Sequence, residues 1–269
     1  MSLIKIICSD LVADRSKNLL ILSASLLASV LAASLLVSCE KKNWQPEVDL
    51  AVKAYEAKRY DEAVPVFVEA ARHGHDGGQF MLGVCYERGI GVEQDYAKAL
   101  KWYRKAADQG LTEAEIGVGY CYYVGHGVKQ DYTEAAKWIR KAAEKQDPHA
   151  EYVLGYFYDR GFGVTQDYGE AVKWYRKAAE HEYPPAYDGL GYCYEVGNGI
   201  EKDPAEAVKW YCKGAEQNFA PSQCRLALCY RDGIGVEKDL DKAKQLLLKS
   251  ADRGWDDAKE LLKELEATP

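Results

Sequence analysis

The sequence predicts an all-α protein, an α/α superhelical solenoid of stacked antiparallel helix hairpins. The first observation is a strict period, since five tyrosines and five aspartates recur every 36 residues without an insertion. The second is a Gly-x-Gly pair in each copy, which separates two helical segments. One hairpin cannot bury its own aromatic side chains, whereas stacked hairpins can. The periodic residues are Tyr86, Tyr122, Tyr158, Tyr194 and Tyr230, and Asp95, Asp131, Asp167, Asp203 and Asp239.

The first helix of each copy, helix A, ends at the glycines. In the first copy Phe80, Leu82 and Tyr86 follow helical spacing, and Gly89 and Gly91 then interrupt it. Glycine adopts positive φ without strain, so this pair predicts the end of the helix and a tight turn.

The second helix, helix B, begins after the periodic aspartate. Its side chain can accept hydrogen bonds from the free N–H groups of the first turn. In three copies a glutamate follows three residues later, which predicts a capping box. A tryptophan then recurs in the apolar stripe of helix B. These residues are Glu134, Glu170 and Glu206, and Trp102, Trp138, Trp174 and Trp210.

The consensus of the copies is L-G-x-x-Y-x-x-G-x-G-V-x-x-D-Y-x-x-A-x-K-W-Y-x-K-A-A-E. In this pattern the sequence resembles the Sel1-like repeat (SLR) family, a relative of the tetratricopeptide repeats. The resemblance covers residues 77–254 and implies a repeat protein that binds other proteins. It divides the segment into five repeats, at 77–110, 111–146, 147–182, 183–218 and 219–254.

The segments on either side of the repeats differ from them. In residues 48–76, Tyr55 and Tyr60 are five residues apart where the repeat spaces its tyrosines by ten, so the Gly-x-Gly insert is missing. This segment is therefore predicted to be a tetratricopeptide-like N-terminal hairpin. Residues 255–269 have one apolar and one polar face, which predicts a C-terminal capping helix.

An apolar run near the N-terminus, Leu19–Val37, is long enough to cross a bilayer. Lys5, Arg15 and Lys17 precede it, as in a segment that directs export. Because a cleavable apolar region is usually about 7–15 residues long, an uncleaved inner-membrane anchor is an alternative. Either arrangement places the remainder at a membrane, outside the cytoplasm.

The end of this run, Leu36-Val37-Ser38-Cys39, resembles the lipobox of bacterial lipoproteins. The resemblance implies a signal peptide at 1–38, lipid such as palmitate on Cys39, and a short tether over 39–47. Glu40 is not the aspartate that retains such lipoproteins in the inner membrane. We therefore expect an outer-membrane lipoprotein that faces the periplasm, with inner-membrane anchoring or surface exposure as alternatives.

The charge balance limits the partners. The chain has a formal net charge of −7, which disfavours nucleic acid and anionic lipid head groups. We expect a monomer without a cofactor.

Catalytic motifs are missing from the sequence after Cys39. Some cysteine-rich members of the Sel1-like family bind or cleave β-lactams, but only Ser222 and Ser250 remain here, and neither begins an S-x-x-K motif. His73 and His75 lie together at a predicted helix end, without the spacing of a metal site. We expect a protein that is not an enzyme and holds no metal.

The cysteines have two predicted roles. Cys85, Cys121, Cys193 and Cys229 share one repeat position beside the packed tyrosine, which is typical of small core residues. Cys212 and Cys224 flank the turn between two hairpins and could face each other across it. A disulfide between them, or two free thiols, are both compatible with the sequence.

If the hairpins stack as the resemblance implies, the A helices line a concave groove that binds a protein or peptide. Tyrosine and arginine are frequent at its predicted positions, as they are at interfaces. Tyr120, Tyr156 and Tyr192 recur every 36 residues and are equally compatible with packing, so Tyr123 and Tyr152 are the favoured contacts. The predicted groove residues are Phe80, Glu87, Arg88, Tyr120, Tyr123, Tyr152, Tyr156, Asp159, Arg160, Asp188, Tyr192, Glu195 and Arg231.

The sequence therefore predicts a membrane-anchored, non-catalytic scaffold for protein–protein interaction. One alternative is a β-lactam-binding or β-lactam-hydrolysing protein of the cell wall. Another is a secreted or surface-exposed factor that contacts host proteins.

Overall fold

The computed structural model describes residues 42–267 of the chain. The predicted signal peptide and the predicted lipid site, Cys39, lie outside these residues. Within them the chain forms thirteen helices and no strand, in agreement with the predicted all-α solenoid. The helices are α1 (Gln45–Glu56), α2 (Tyr60–Arg72), α3 (Asp76–Arg88), α4 (Tyr96–Ala107), α5 (Thr112–Val124), α6 (Tyr132–Ala143), α7 (Pro148–Arg160), α8 (Tyr168–Glu180), α9 (Pro184–Val196), α10 (Pro204–Glu216), α11 (Ala220–Asp232), α12 (Leu240–Asp252) and α13 (Asp256–Ala267).

Each helix packs mainly against its neighbours along the chain, as stacked hairpins require. α1 and α2 form the N-terminal hairpin, and α3 to α12 form five A–B pairs. α13 packs on α12, where the C-terminal helix was predicted. No helix within 42–267 is long and apolar enough to cross a membrane.

The start of α1 corrects the predicted limit of the tether. The helix begins at Gln45, before the predicted hairpin boundary at Val48. Pro46 stands in its first turn, where the missing N–H has no intrahelical partner to lose. Gln45 also donates a hydrogen bond to Asp49 Oδ1, at 2.8 Å.

The two glycines of each Gly-x-Gly pair have different roles. The first ends helix A in the left-handed region, as Gly125 does with φ of 83°. The second also has positive φ, and in the last four pairs it lies against the backbone of the preceding helix B. A Cβ on Gly127 would overlap the carbonyl of Tyr96, so the close approach of two hairpins requires glycine there.

The periodic aspartates cap the B helices as predicted. Asp131 Oδ1 accepts from the N–H of Glu134 at 3.0 Å. The reciprocal bond of the capping box is not formed, because the N–H of Asp131 already donates to the carbonyl of Tyr122 at 2.9 Å. The Glu134 carboxylate pairs with Lys137 instead. Asp167 and Asp203 likewise donate their N–H groups to tyrosine carbonyls, at 3.0 and 2.9 Å.

A ladder of arginine–tyrosine hydrogen bonds joins consecutive repeats. Arg140 Nη2 donates to the Tyr158 hydroxyl of the next repeat at 2.7 Å. Equivalent pairs join Arg104 to Tyr122 and Arg176 to Tyr194. In the fourth repeat Cys212 occupies the arginine position, so the ladder stops before the fifth.

Candidate functional site

The A helices of the first three repeats line a groove with a volume of about 620 Å³. Its floor is α5, and α3 and α7 form its sides. Gly117 lets α5 pack closely on Tyr103, since a Cβ at this position would lie 3.3 Å from the Tyr103 ring. We call its apolar lining the apolar section of the A-helix face, which comprises Phe80, Val84, Ile116, Tyr120, Val153 and Tyr156.

Tyr120 is the most accessible of the predicted tyrosines in this groove, with 46% of its surface exposed. Its ring meets His126 edge-on, with centroids 6.0 Å apart. His126 is itself stacked on Tyr96 at 3.9 Å, so it supports one side of the Tyr120 ring. This arrangement leaves a large amphipathic side chain both oriented and open to a partner.

Glu87 and Arg88 lie at the end of α3, on the rim of the groove. The Tyr103 hydroxyl donates to Glu87 Oε2 at 2.7 Å, which fixes the carboxylate. Burial and the neighbouring Glu87 charge raise the pKa of Tyr103, so the hydroxyl stays protonated and remains a donor. Arg88 is exposed and is the more available charge on this rim.

Tyr123 lines the groove but is also part of the core. Its ring stacks on Phe157 of the next repeat with centroids 5.5 Å apart, and it contacts Phe162 at 5.6 Å. Tyr132 packs against it from α6, at 5.5 Å. Packing against Phe157 and Phe162 therefore explains why this copy has a tyrosine at position 123.

The position of Tyr152 differs from the predicted one in the groove. It packs on Tyr175 and Tyr183, with ring centroids at 5.6 and 5.8 Å, and does not line the groove. Burial raises the pKa of Tyr152 to about 12. These contacts are with helix B of its own hairpin and with the residue that precedes α9, so Tyr152 has a packing role.

The A helices of the third, fourth and fifth repeats carry a set of charged side chains. We call Asp159, Arg160, Asp188, Glu195 and Arg225 the polar section. The buried Asp159 pairs with Arg160 Nε at 3.1 Å. Burial raises the pKa of Asp159, and the arginine partly offsets this.

Asp188 connects two repeats within the polar section. It pairs with Arg225 Nε at 3.3 Å and accepts from the Ser222 hydroxyl at 3.2 Å. Burial raises the pKa of Asp188, while Arg225 and Ser222 lower it. The sequence did not indicate Arg225 and Ser222 as part of this face, although Arg225 is the only arginine at its repeat position.

The other predicted residues of this region are held by neighbours. The Arg225 guanidinium lies 4.9 Å from the Tyr192 ring centroid. The Tyr211 hydroxyl donates to Glu195. Arg231 makes two hydrogen bonds of 2.8 Å with Asp232, so its charge is already paired.

Ser222 and Ser250, the two candidate nucleophiles, are both buried, and their hydroxyl groups form hydrogen bonds within the fold. Ser222 donates to Asp188, and Ser250 donates to the Ala220 carbonyl at 2.8 Å. Neither hydroxyl is bonded to a histidine or lysine that could act as a base. Between residues 42 and 267, no three His, Cys, Asp or Glu side chains are grouped so as to hold a metal ion.

The cysteine predictions have separate outcomes. Cys85, Cys121, Cys193 and Cys229 are buried free thiols, as expected for core residues. Cys212 and Cys224 are also free, so the predicted alternative of a bridge is not realised. Cys212 packs in the cluster around Tyr211, whereas Cys224 packs with Leu247 of the next hairpin.

Comparison with known proteins assigns the repeats. The Sel1 repeat model matches residues 77–111, 112–147, 148–183, 184–219 and 220–255, within one residue of the predicted limits. A Sel1 repeat protein from Oxalobacter formigenes is 37% identical, with a TM-score of 0.74 over 80% of this chain and 86% of its own.

Two other solved structures are similar. A protective antigen of uropathogenic Escherichia coli with an SLR fold is 36% identical, with a TM-score of 0.72 over 86% of this chain. The match spans about half of that longer protein, 50% of its chain. The immunity protein Pa5087 from Pseudomonas aeruginosa is 22% identical over 83% of this chain and 84% of its own, with a TM-score of 0.51, and shares the fold alone. Sel1 repeat proteins generally act as scaffolds for protein interaction. With the matched repeats covering residues 77–255, the chain belongs to the Sel1 repeat family.

Proposed function

We propose that this protein is a non-catalytic scaffold that binds a protein or peptide in the groove formed by α3, α5 and α7. The observation that carries the proposal is the exposed Tyr120 ring above an apolar groove of about 620 Å³. An oriented tyrosine in a desolvated setting is a frequent anchor of protein interfaces.

The lining defines the kind of segment that fits. Ile116, Val153 and Phe80 offer apolar contacts, so the partner contributes aliphatic or aromatic side chains. Arg88 and Glu113 at the rim supply charges of both signs, which orient the partner rather than hold it. The polar section contributes less, because its arginines are already paired with aspartates.

The test uses Tyr120 and its equivalent two repeats later, Tyr192, which lies outside the groove. A photo-crosslinking residue is placed at either position, and products from the cell envelope are identified by mass spectrometry. We expect a specific partner only from position 120, and a loss of about tenfold or more in affinity for it in Tyr120→Ala. Equal crosslinking from both positions, or unchanged affinity of Tyr120→Ala, would contradict the groove.

We also propose that lipid on Cys39 anchors the scaffold at the outer membrane, facing the periplasm. The support is the sequence Leu36-Val37-Ser38-Cys39 after the apolar run, with Glu40 following it. Radiolabelled palmitate is expected in the wild type and absent from Cys39→Ala. An unlabelled, uncleaved wild-type product would instead indicate an inner-membrane anchor.

A surface-exposed role in host contact is the second candidate. The similarity to a protective antigen of uropathogenic Escherichia coli favours it. Protease treatment of intact cells separates the two, since only a surface-exposed chain is digested without lysis.

A further inference from the structure

One position of the repeat places a polar or aromatic side chain inside the fold near the start of each A helix. All five of these side chains are at most 6% exposed. They recur every 36 residues and are Gln79, Glu115, Glu151, Tyr187 and Gln223.

The two glutamines show what this position does. Gln79 Nε2 donates to the Ala71 carbonyl at 3.5 Å, and Gln223 Nε2 donates to the Ala215 carbonyl at 3.4 Å. Both acceptors lie in the last turn of the preceding B helix. The side chain therefore ties each hairpin to the one before it.

Glu115 meets a different environment at the same position. Lys141 Nζ and Lys145 Nζ lie 2.9 and 2.8 Å from its Oε1. Two cations at hydrogen-bond distance stabilise an ionised carboxylate. Glu115 therefore forms a buried ion-pair cluster with two lysines.

Glu151 lacks both of these partners. The residue equivalent to Lys145 is His181, whose Nε2 is 3.8 Å from Glu151 Oε2, beyond hydrogen-bond distance. The residue equivalent to Lys141 is Lys177, whose ammonium lies over the Trp174 ring at 3.8 Å. Glu151 is 2% exposed, and its Oε2, like that of Glu115, has no hydrogen-bond partner. The difference is that Glu115 pairs with two lysines through Oε1, whereas the ion pair of Glu151 is the longer one to His181.

We propose that protonated Glu151 donates its O–H to the Ala143 carbonyl in the folded protein, which makes the joint between the second and third repeats sensitive to pH. Ala143 is the repeat equivalent of Ala71 and Ala215. Its carbonyl accepts from the N–H of Gln146 at 2.9 Å, and a carbonyl oxygen has a second lone pair. A protonated carboxyl supplies the donor that the glutamine amide supplies elsewhere.

Burial, rather than the surrounding charges, is the main cause that favours the protonated form of Glu151. Burial raises the pKa of Glu151, while His181 and Lys177 of the α8 side lower it. Asp147 and Glu180 raise it further. On the α6 side, Lys141 and Lys145 are directed to Glu115.

The sign of the pH effect follows from the raised pKa. Between the ordinary glutamate pKa and the higher folded value, the folded protein binds more protons than the unfolded chain. The contribution of Glu151 to stability is therefore fully present below the ordinary glutamate pKa and is lost as the pH rises through the folded pKa. Because α7 also carries Val153 and Tyr156, the joint supports one side of the groove.

The test compares the full wild-type chain with Glu151→Gln and the matched control Glu115→Gln. Amide hydrogen exchange of residues 143–151 is measured at pH 5 and pH 8 after correction for intrinsic rates. We expect wild-type protection to fall at pH 8 by about tenfold per unit of raised pKa, and Glu151→Gln to keep it. Glu115→Gln should lose protection at both pH values, since two lysines lose their partner.

Two results would overturn the proposal. One is a pH dependence in Glu151→Gln equal to that of the wild type. The other comes from a carboxyl-carbon NMR titration of the wild type, which is independent of how the variants fold. We expect Glu151 to titrate above the ordinary glutamate range. A measured pKa within or below that range would exclude a pH-sensitive joint at this position.

Discussion

The apolar and polar sections of the A-helix face share two repeat positions, at which they present opposite chemistry. Ile116 in the apolar section corresponds to Asp188 in the polar section, and Val153 corresponds to Arg225. The supporting contact is unchanged, since Tyr103 donates to Glu87 and Tyr211 donates to Glu195 at equivalent places. The hairpin geometry therefore repeats along the solenoid, while the surface it presents is set by a few substituted positions.

The difference separates residues available to a partner from those committed to the fold. Tyr120 is 46% exposed beside the groove, whereas the charges of Asp159 and Asp188 are bonded within the chain. A polar face is thus not automatically a binding face. In this molecule the aspartate–arginine pairs of the polar section lie in the third to fifth repeats, and the exposed Tyr120 lies in the second.

The largest expected change in stability follows from removing a packed tyrosine. Tyr152→Ala removes ring contacts with Tyr175 and Tyr183 and should lower the free energy of unfolding by about 2–4 kcal/mol. Tyr120→Ala removes an exposed ring and should change it by less than about 0.5 kcal/mol. Urea unfolding of both variants measures this. Similar losses would erase the distinction between packing and groove tyrosines.

An intermediate effect is expected in the polar section. Arg225→Ala leaves Asp188 without its cation and should cost about 1–2 kcal/mol, reduced from a fully buried pair because Arg225 is 39% exposed. The loss raises the pKa of Asp188 further, so the variant should be less affected at pH 5 than at pH 8.

Arg231→Ala is the matched control for this variant, since its partner Asp232 is exposed. We expect its unfolding free energy to change by no more than about 1 kcal/mol. If the two arginine variants behave alike at both pH values in urea titrations, the polar section has no special role in stability.

The smallest effect concerns the interrupted ladder. Cys212→Arg would add a donor to the Tyr230 hydroxyl, equivalent to the hydrogen bond that Arg140 donates to Tyr158. We expect a gain of about 0.5–1 kcal/mol in unfolding free energy, typical of one hydrogen bond. Thermal unfolding measures the gain, and Arg140→Cys should show a loss of similar size. A destabilised Cys212→Arg would mean that the half-buried thiol is needed for packing.

Much of the architecture was predictable because the signals are local. The αL glycines such as Gly125 and the N-cap aspartates such as Asp131 act within a few residues of themselves. The prediction of the second capping-box bond was wrong, because the N–H of Asp131 already donates to the carbonyl of Tyr122 in the preceding helix. The pattern S/T/D-x-x-E contains no information about that competitor.

The candidate site was predicted less well. Tyr123 and Tyr152 were favoured because they lack copies, yet each meets other aromatic rings, Phe157 and Tyr175 among them. Arg225 was missed because its partner Asp188 is distant in sequence and its importance depends on that contact. Copy-specific residues mark departures from the repeat, but packing and binding both produce them.

Within the five repeats, the order of the helices and the positions of their ends follow from the 36-residue period, since propensity, capping and apolar spacing operate within a single copy. Whether a side chain is paired, packed or open depends on which atoms adjacent hairpins bring together. Glu115 and Glu151 occupy one repeat position, but two lysines lie against the first and a more distant histidine against the second. Hydrogen bonds and ion pairs weaken within about an ångström of their best distance, so only the stacked structure could distinguish these two residues.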